Sequence, residues 1–204
     1  MKWFDRMHMV HRFWRYRLRS ERQELAFLMR CPLDGTLVAD IGANLGIYSY
    51  WMHRVVGAKG KVIAFEPQPE LQEHLADLRQ SFRLDNLEIV PKGLSTASGT
   101  AELIRPRSHW GGASLEEVDN NEETERFQIA LTTLDEYFSD RTERLRFIKC
   151  DVEGHEEHVF AGGTEVLGED RPILLFECTE EIVSRGNLFS QLAQLGYEGR
   201  FFHN

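Results

Sequence analysis

Val38-Ala-Asp-Ile-Gly-Ala-Asn-Leu-Gly-Ile-Tyr-Ser-Tyr50 decides how the rest of the chain is read. Leu37, Val38, Ala39 and Ile41 form an apolar run too short for a helix, so the stretch opens as a buried strand. Gly42 and Gly46 allow a tight turn and a close approach of backbone to a ligand. Asn44 is placed to cap the helix that follows. In a doubly wound α/β sheet this first strand-to-helix turn lies at the carboxyl edge, where ligands bind.

The turn departs from the dinucleotide pattern. Its spacing is Gly42-x-Asn44-x-Gly46 instead of Gly-x-Gly-x-x-Gly, and Asp40 stands just before it. A carboxylate is a poor neighbour for a pyrophosphate. It suits a ligand with a cationic end, such as the ammonium and sulfonium of S-adenosylmethionine. About twenty residues on, Lys61-Val-Ile-Ala-Phe-Glu66-Pro67 reads as a second buried strand ending in an acid. An acid at that position accepts hydrogen bonds from both hydroxyls of a ribose. Taken singly, the glycine turn could merely pack a helix on a sheet, and Glu66 could be a solvated residue before a proline turn. Together they point to an adenosine-containing ligand.

The 204 residues suffice for one α/β domain with a substantial core. A net charge of −9 argues against general affinity for nucleic acid. The charge is uneven: Lys2, Arg6, Arg12, Arg15, Arg17, Arg19, Arg22 and Arg30 crowd the first thirty residues, leaving the remainder strongly acidic. Cys31, Cys150 and Cys178 show no paired spacing, which fits free thiols in a reducing compartment. No apolar stretch is long enough to span a membrane, and the N-terminus lacks a signal-peptide core, so the cytoplasm is the expected location.

Along the chain, residues 2–30 read as helix with an apolar stripe of Trp3, Met7, Val10, Trp14 and Leu18. That stripe packs on the domain or on a second copy of the chain; a lid over the acceptor, or attraction to anionic lipid or a phosphorylated substrate, are the other roles open to it. A helix from about Leu45 to Val56 stops at Gly57, and Pro69 opens another. Leu87–Pro91 is a third strand, and Ser95 and Thr96 in the loop after it are candidate adenine contacts. Thr100–Ile104 and Phe127–Leu131 form a β insertion whose long intervening loop covers the pocket. Thr133-Leu-Asp-Glu136 matches a capping box. Leu145–Cys150 and Pro172–Glu177 are the fourth and fifth strands, and Tyr197–Phe202 begins one more. Alternating strands and helices predict a mainly parallel sheet covered on both faces.

Asp-Ile-Gly-Ala-Asn-Leu-Gly-Ile-Tyr-Ser (40–49), Phe-Glu-Pro (65–67), Gly-Gly-Ala-Ser-Leu (111–115), Thr-Leu-Asp-Glu (133–136) and Ile-Lys-Cys-Asp-Val-Glu-Gly-His-Glu (148–156) together resemble the FkbM-type methyltransferase family. The resemblance runs over about residues 36–178. It implies a Rossmann-like class I methyltransferase fold, a mainly parallel twisted sheet with helices on both faces, a β insertion after the third strand and a helical extension at the N-terminus. The division it suggests is a basic helical extension over 1–35 and a methyltransferase domain over 36–204. The implied reaction is methylation of a hydroxyl on a sugar, glycolipid or natural product with S-adenosylmethionine. The implied cofactor contacts are Asp40, Gly42, Ala43, Asn44 and Gly46 at the methionine end, Glu66 and Pro67 at the ribose, Ser95 and Thr96 near the adenine, and Asp151 beside the methyl group. Three positions depart from the family pattern: Thr96 replaces an acid, Cys150 replaces an aliphatic residue, and the chain stops where a final antiparallel hairpin is expected.

An alcohol is a poor nucleophile until its proton is removed, so this chemistry needs a base or a metal. Asp151 is the expected base or orienting group, His155 its alternative, and Glu177 a substrate contact. A metal is not favoured: His155-Glu-Glu-His158 spaces its histidines three apart where the zinc protease motif has four, although carboxylates with a histidine could hold Mg²⁺ or Mn²⁺. Other enzyme classes fit poorly. A nicotinamide oxidoreductase lacks its second glycine here, a P-loop phosphotransferase lacks its lysine motif, and Asp151-Val-Glu-Gly replaces the Asn/Asp-Pro-Pro-Tyr/Phe of many nucleic-acid base methyltransferases. A methyltransferase-like module that binds cofactor or a protein partner without turnover is the rival from outside enzymology.

Overall fold

The computed structural model describes residues 3–107, 113–115, 123–178 and 187–202. The main sheet contains β1 (Leu37–Ile41), β2 (Lys61–Phe65), β3 (Leu87–Val90), β7 (Leu145–Cys150) and β8 (Ile173–Phe176). These strands are parallel, in the order β3-β2-β1-β7-β8. β1 is buried at every position, as a strand covered on both faces must be. Side chains alternate between two cores. Val38, Val62 and Phe147 face one way; Ala39, Ile41, Ile63, Phe65 and Ile148 face the other.

The first face is covered by α1 (Trp3–Arg15), a π-helical turn at Tyr16–Ser20, α2 (Arg22–Leu28), α3 (Ile47–Val56) and α4 (Pro69–Phe82). The second is covered by α5 (Leu134–Tyr137), α6 (Glu156–Ala161), α7 (Thr164–Asp170) and α8 (Asn187–Gln194). Between β3 and α5 the chain builds a small second sheet from β4 (Gly93–Leu94), β5 (Gly99–Pro106) and β6 (Thr124–Thr132), in the order β4-β6-β5. β5 and β6 pair antiparallel from Gly99 opposite Leu131 to Pro106 opposite Thr124, longer strands than the sequence suggested. Buried Arg105 ties this hairpin to the main body. It donates to Gln68 Oε1 at 3.0 Å and to both Glu70 oxygens, pairs with Glu125, and lies over the Phe127 ring. The loop expected to cover the pocket lies largely outside the described residues, at 108–112 and 116–122.

Several local expectations hold. Gly57 closes α3 with φ +66°, Pro69 sits in the first turn of α4, and the Thr133 hydroxyl accepts from the Glu136 N–H at 2.9 Å. Three do not. The cap of α3 is Gly46 (φ +74°), not Asn44, because the turn needs left-handed backbone at Gly42, Asn44 and Gly46 before the helix begins. The stripe read in the N-terminal helix points outward: Met7, Trp14 and Leu18 are exposed, while Met9 and Phe13 are buried. Helix α1 carries apolar residues on two sides, and the docked side is the one where Phe13 stacks on Tyr50 (3.9 Å between centroids) and meets Phe82 edge-on. Tyr197–Phe202 is not a strand. Arg171 donates to the carbonyls of Leu195 and Gly196, and the Tyr197 hydroxyl donates to the Leu167 carbonyl, so this segment is pinned beside α7 without a ladder partner.

Candidate active site

The chain builds β1, β2 and β3 outward in one direction, then returns to add β7 and β8 on the other side of β1. The crevice between the carboxyl ends of β1 and β7 is therefore the switch point where such sheets bind ligands. Gly42 follows β1 there, and Asp151 follows β7. The two loops are tightly joined. The Asp151 N–H donates to the Ile41 carbonyl at 3.0 Å, and a β-carbon on Gly42 would sit 2.0 Å from the Asp151 carbonyl oxygen. Glycine is needed at 42 by the protein's own backbone, quite apart from any ligand. At Gly46 the obstacle is likewise internal, since a β-carbon would meet Leu78 and Leu75 of α4 at 2.5 and 2.8 Å.

Glu66 is held at the end of β2 by backbone. Its Oε2 accepts from the Asn44 N–H at 2.8 Å, its Oε1 accepts from the Gln68 N–H at 3.0 Å, and Gln72 Nε2 donates to its carbonyl. Each carboxylate oxygen keeps a lone pair for a further donor. Burial pushes the Glu66 carboxyl up to about 7 despite those amides. Ile41, Gly42, Asn44, Phe65, Glu66, Pro67 and Gln68 line one cleft with Lys92, Gly93 and Leu94, and with Leu103 and Ile129 of the β insertion. Asp151, Val152, Glu153 and His155, with Ala113 and Leu115 of the loop expected over the pocket, complete the wall. Ser95 and Thr96 do not line it. Ser95 is buried, its hydroxyl 3.0 Å from His155 Nε2, and Thr96 is exposed. His155 is itself buried and stacks on His158.

Asp40 lies behind the turn, on the face covered by α3. The Ser49 hydroxyl donates to its Oδ2 at 2.5 Å, and burial lifts its carboxyl to about 6. Its cross-strand partner in the β1–β7 register is Lys149. Lys149 is buried, donates from Nζ to Asp151 Oδ2 at 3.1 Å, and stands 5.0 Å from the centre of the Tyr48 ring. Burial works against its charge, but Asp151 and then Glu21 outweigh it and hold the ammonium above its ordinary range. Asp151 keeps about a third of its side chain exposed, at 36%. Glu177, at the end of β8, is pushed up first by the Asp151 charge and then by burial.

Lys149 was missed in the sequence, and a signal for it exists. A charged residue in the apolar run Leu145–Cys150, two positions before the strand-end acid, shares a sheet face with Asp40. Among the described residues no group of three His, Cys, Asp or Glu side chains is arranged as metal ligands.

A parallel sheet in this order, helices on both faces and a ligand crevice between β1 and β7 define a Rossmann-like class I methyltransferase fold. The FkbM methyltransferase domain family matches residues 40–198, and the chain belongs to that family. It is 27% identical over 169 residues to the hexuronic acid methyltransferase AglP of Haloferax volcanii, covering 78% of this chain and 63% of that protein. The chain thus spans less than two thirds of that relative's length. The crystal structure of methyltransferase FkbM from Methylobacillus flagellatus is similar with a TM-score of 0.55 at 16% identity, over 79% of this chain and 39% of that one. A SAM-dependent methyltransferase from Aquifex aeolicus gives a TM-score of 0.50 at 18% identity, over 91% and 84% of the two chains.

Proposed function

We propose that this chain methylates a hydroxyl oxygen of a small acceptor, on a sugar, glycolipid or natural product, using S-adenosylmethionine. The observation that carries the reading is the meeting of Gly42 and Asp151 at the switch point, with Asp40 and Lys149 paired in register behind them. The cofactor suits the residues present. Glu66 offers lone pairs at ribose distance from the turn, and Asp40 is a buried carboxylate with one hydroxyl donor and a need for positive charge. When bound, S-adenosylmethionine supplies a methyl group on a sulfonium and leaves as the neutral thioether once the methyl has passed to the acceptor oxygen.

The chain's own residues do the rest. Lys149 fixes Asp151 by one carboxylate oxygen, and Asp151 takes the proton of the acceptor hydroxyl. Glu177 steadies a second hydroxyl of the acceptor. His155, bonded to Ser95, supports the wall of the cofactor cleft and is placed second to Asp151 as a base. The thiols of Cys31 and Cys150 fit a reducing compartment, which agrees with a cytoplasmic location. Among the described residues no helix is long and apolar enough to cross a membrane.

Calorimetry with S-adenosylmethionine and S-adenosylhomocysteine, followed by a tritium-transfer screen over glycosides and phenols, tests the reading. Binding of both with transfer to a hydroxyl is the expected result. Binding without transfer to any acceptor would make the chain a cofactor-binding module, and no binding by folded protein would end the proposal.

A further inference from the structure

The apolar residues that the N-terminal helix leaves outside the core gather on one face. Phe4, Met7, Trp14 and Leu18 follow one another at three, seven and four residues, which keeps them on one side, away from buried Met9 and Phe13. Leu18 is 60% exposed and Met7 50%. With Met29, Phe201 and Phe202 they make up seven of the eight large apolar side chains exposed among the described residues, Ile173 being the eighth. Phe202 meets Phe27 of α2 edge-on, 5.8 Å between centroids, so it belongs to the same side of the molecule. Exposed apolar residues that gather in this way, instead of being scattered singly, mark an interaction surface.

The charge beside that face is mostly of one sign. Arg15, Arg19, Arg22 and Arg30 are exposed, and none of them joins an ion pair among the described residues. Arg17 is turned back over the Trp14 and Trp51 rings, 5.1 and 4.7 Å from their centres. Arg19, Arg22 and Arg30 share with Ala26, Phe27 and Phe202 an open groove of about 620 Å³. Guanidinium groups bind phosphate oxygens two at a time, and the apolar side chains beside them accept hydrocarbon. Together these features fit an anionic headgroup that carries acyl chains. A second copy of this chain fits less well, because a two-fold pairing of the stripe with itself would set arginine against arginine.

We propose that the N-terminal segment docks this protein on the surface of a bilayer that contains anionic phospholipid. Helix α1 lies along the interface with Met7, Trp14 and Leu18 turned to the acyl chains, while Arg15, Arg19, Arg22 and Arg30 pair with headgroup phosphates. Trp14 suits the boundary itself, where an amphipathic ring is anchored. The segment also adjoins the active site: Glu21, between Arg19 and Arg22, lies near enough to Lys149 and Asp151 for their charges to act on it. The docked surface is thus next to the β7 side of the crevice. Docking itself is independent of the methyl-transfer reading and of the cofactor.

The test sediments the full chain, without cofactor, with vesicles of phosphatidylcholine alone and with vesicles that also contain phosphatidylglycerol. Partitioning is expected to rise about tenfold or more with the anionic lipid and to fall steeply when salt is raised to about 0.5 M. Arg19→Gln with Arg22→Gln should weaken binding to the anionic vesicles about tenfold. Met7→Ser with Leu18→Ser should weaken it by a similar factor, about tenfold, and remove the part that resists salt. Melting temperature is expected to hold in both double variants, since all four side chains are exposed. Equal binding to both kinds of vesicle, no binding to either by folded chain, or binding untouched by both double variants would each overturn the docking. A dimer in light scattering that Met7→Ser with Leu18→Ser breaks, in a chain that ignores vesicles, would assign the face to a second copy instead.

Discussion

The two halves of the cleft are built on opposite terms. On the β1–β2 side the carboxylates are held by the protein itself: Glu66 by two backbone N–H groups, Asp40 by Ser49. On the β7–β8 side two acids crowd one lysine: Lys149 donates to Asp151, whose charge pushes the Glu177 carboxyl up. A half whose polar groups are satisfied is preorganised for one ligand that never changes. A half in which two acids share one cation responds to a second molecule that brings donors, and that is where selectivity can be set.

The seam between the halves should show the largest effect. Gly42→Ala forces a left-handed alanine against the Asp151 backbone and is expected to cost about 3 kcal/mol or more of stability in urea unfolding. A loss under about 1 kcal/mol would show that the loops yield and the seam is loose. Asp151→Asn comes next. It should lower kcat by about 10²- to 10³-fold with little change in S-adenosylhomocysteine affinity; a matching loss of affinity would move Asp151 into the cofactor half. Glu66→Gln is the mirror experiment, lowering S-adenosylhomocysteine affinity by about 1.5–3 kcal/mol in calorimetry.

pH sharpens the contrast further. Asp40 and Glu66 have folded-state values raised to about 6 and about 7 from ordinary values of 3.8 and 4.5, chiefly by burial. The folded chain therefore holds their protons more tightly than the unfolded chain. Their contribution to stability is full below the ordinary values and is lost as pH rises through the raised ones. Ligand affinity runs the other way, because the ionised carboxylates do the binding, so it should weaken as pH falls below 7 and then 6. Asp40→Asn should flatten the stability slope between pH 4 and 6, seen by urea unfolding across that range. The smallest effect belongs to neither half. Arg126→Ala, which removes an exposed pair with Glu102 on the β insertion, should change stability by no more than about 0.5 kcal/mol.

Much of the β1–β2 side was legible in one dimension. Asp40, Gly42, Asn44 and Glu66 sit at strand ends and turns, where apolar runs stop and a residue's position in the sheet follows from counting. The β7–β8 side was not. Lys149 lay hidden inside an apolar run. The N-terminal stripe was read on the wrong side for a related reason. A helix with apolar residues on two faces has no intrinsic inward direction, and the choice was made by Tyr50 and Phe82, which Phe13 could reach.

The sequence alone determined the alternating α/β order, the family and the carboxylates behind the first two turns, because periodicity and turn chemistry are local. Only the tertiary structure decided that Gly42 answers to the Asp151 backbone and that Asp40 stands beside Lys149. The partners in each pair are 109 residues apart along the chain, and their meeting depends on strand register, which the whole core sets at once.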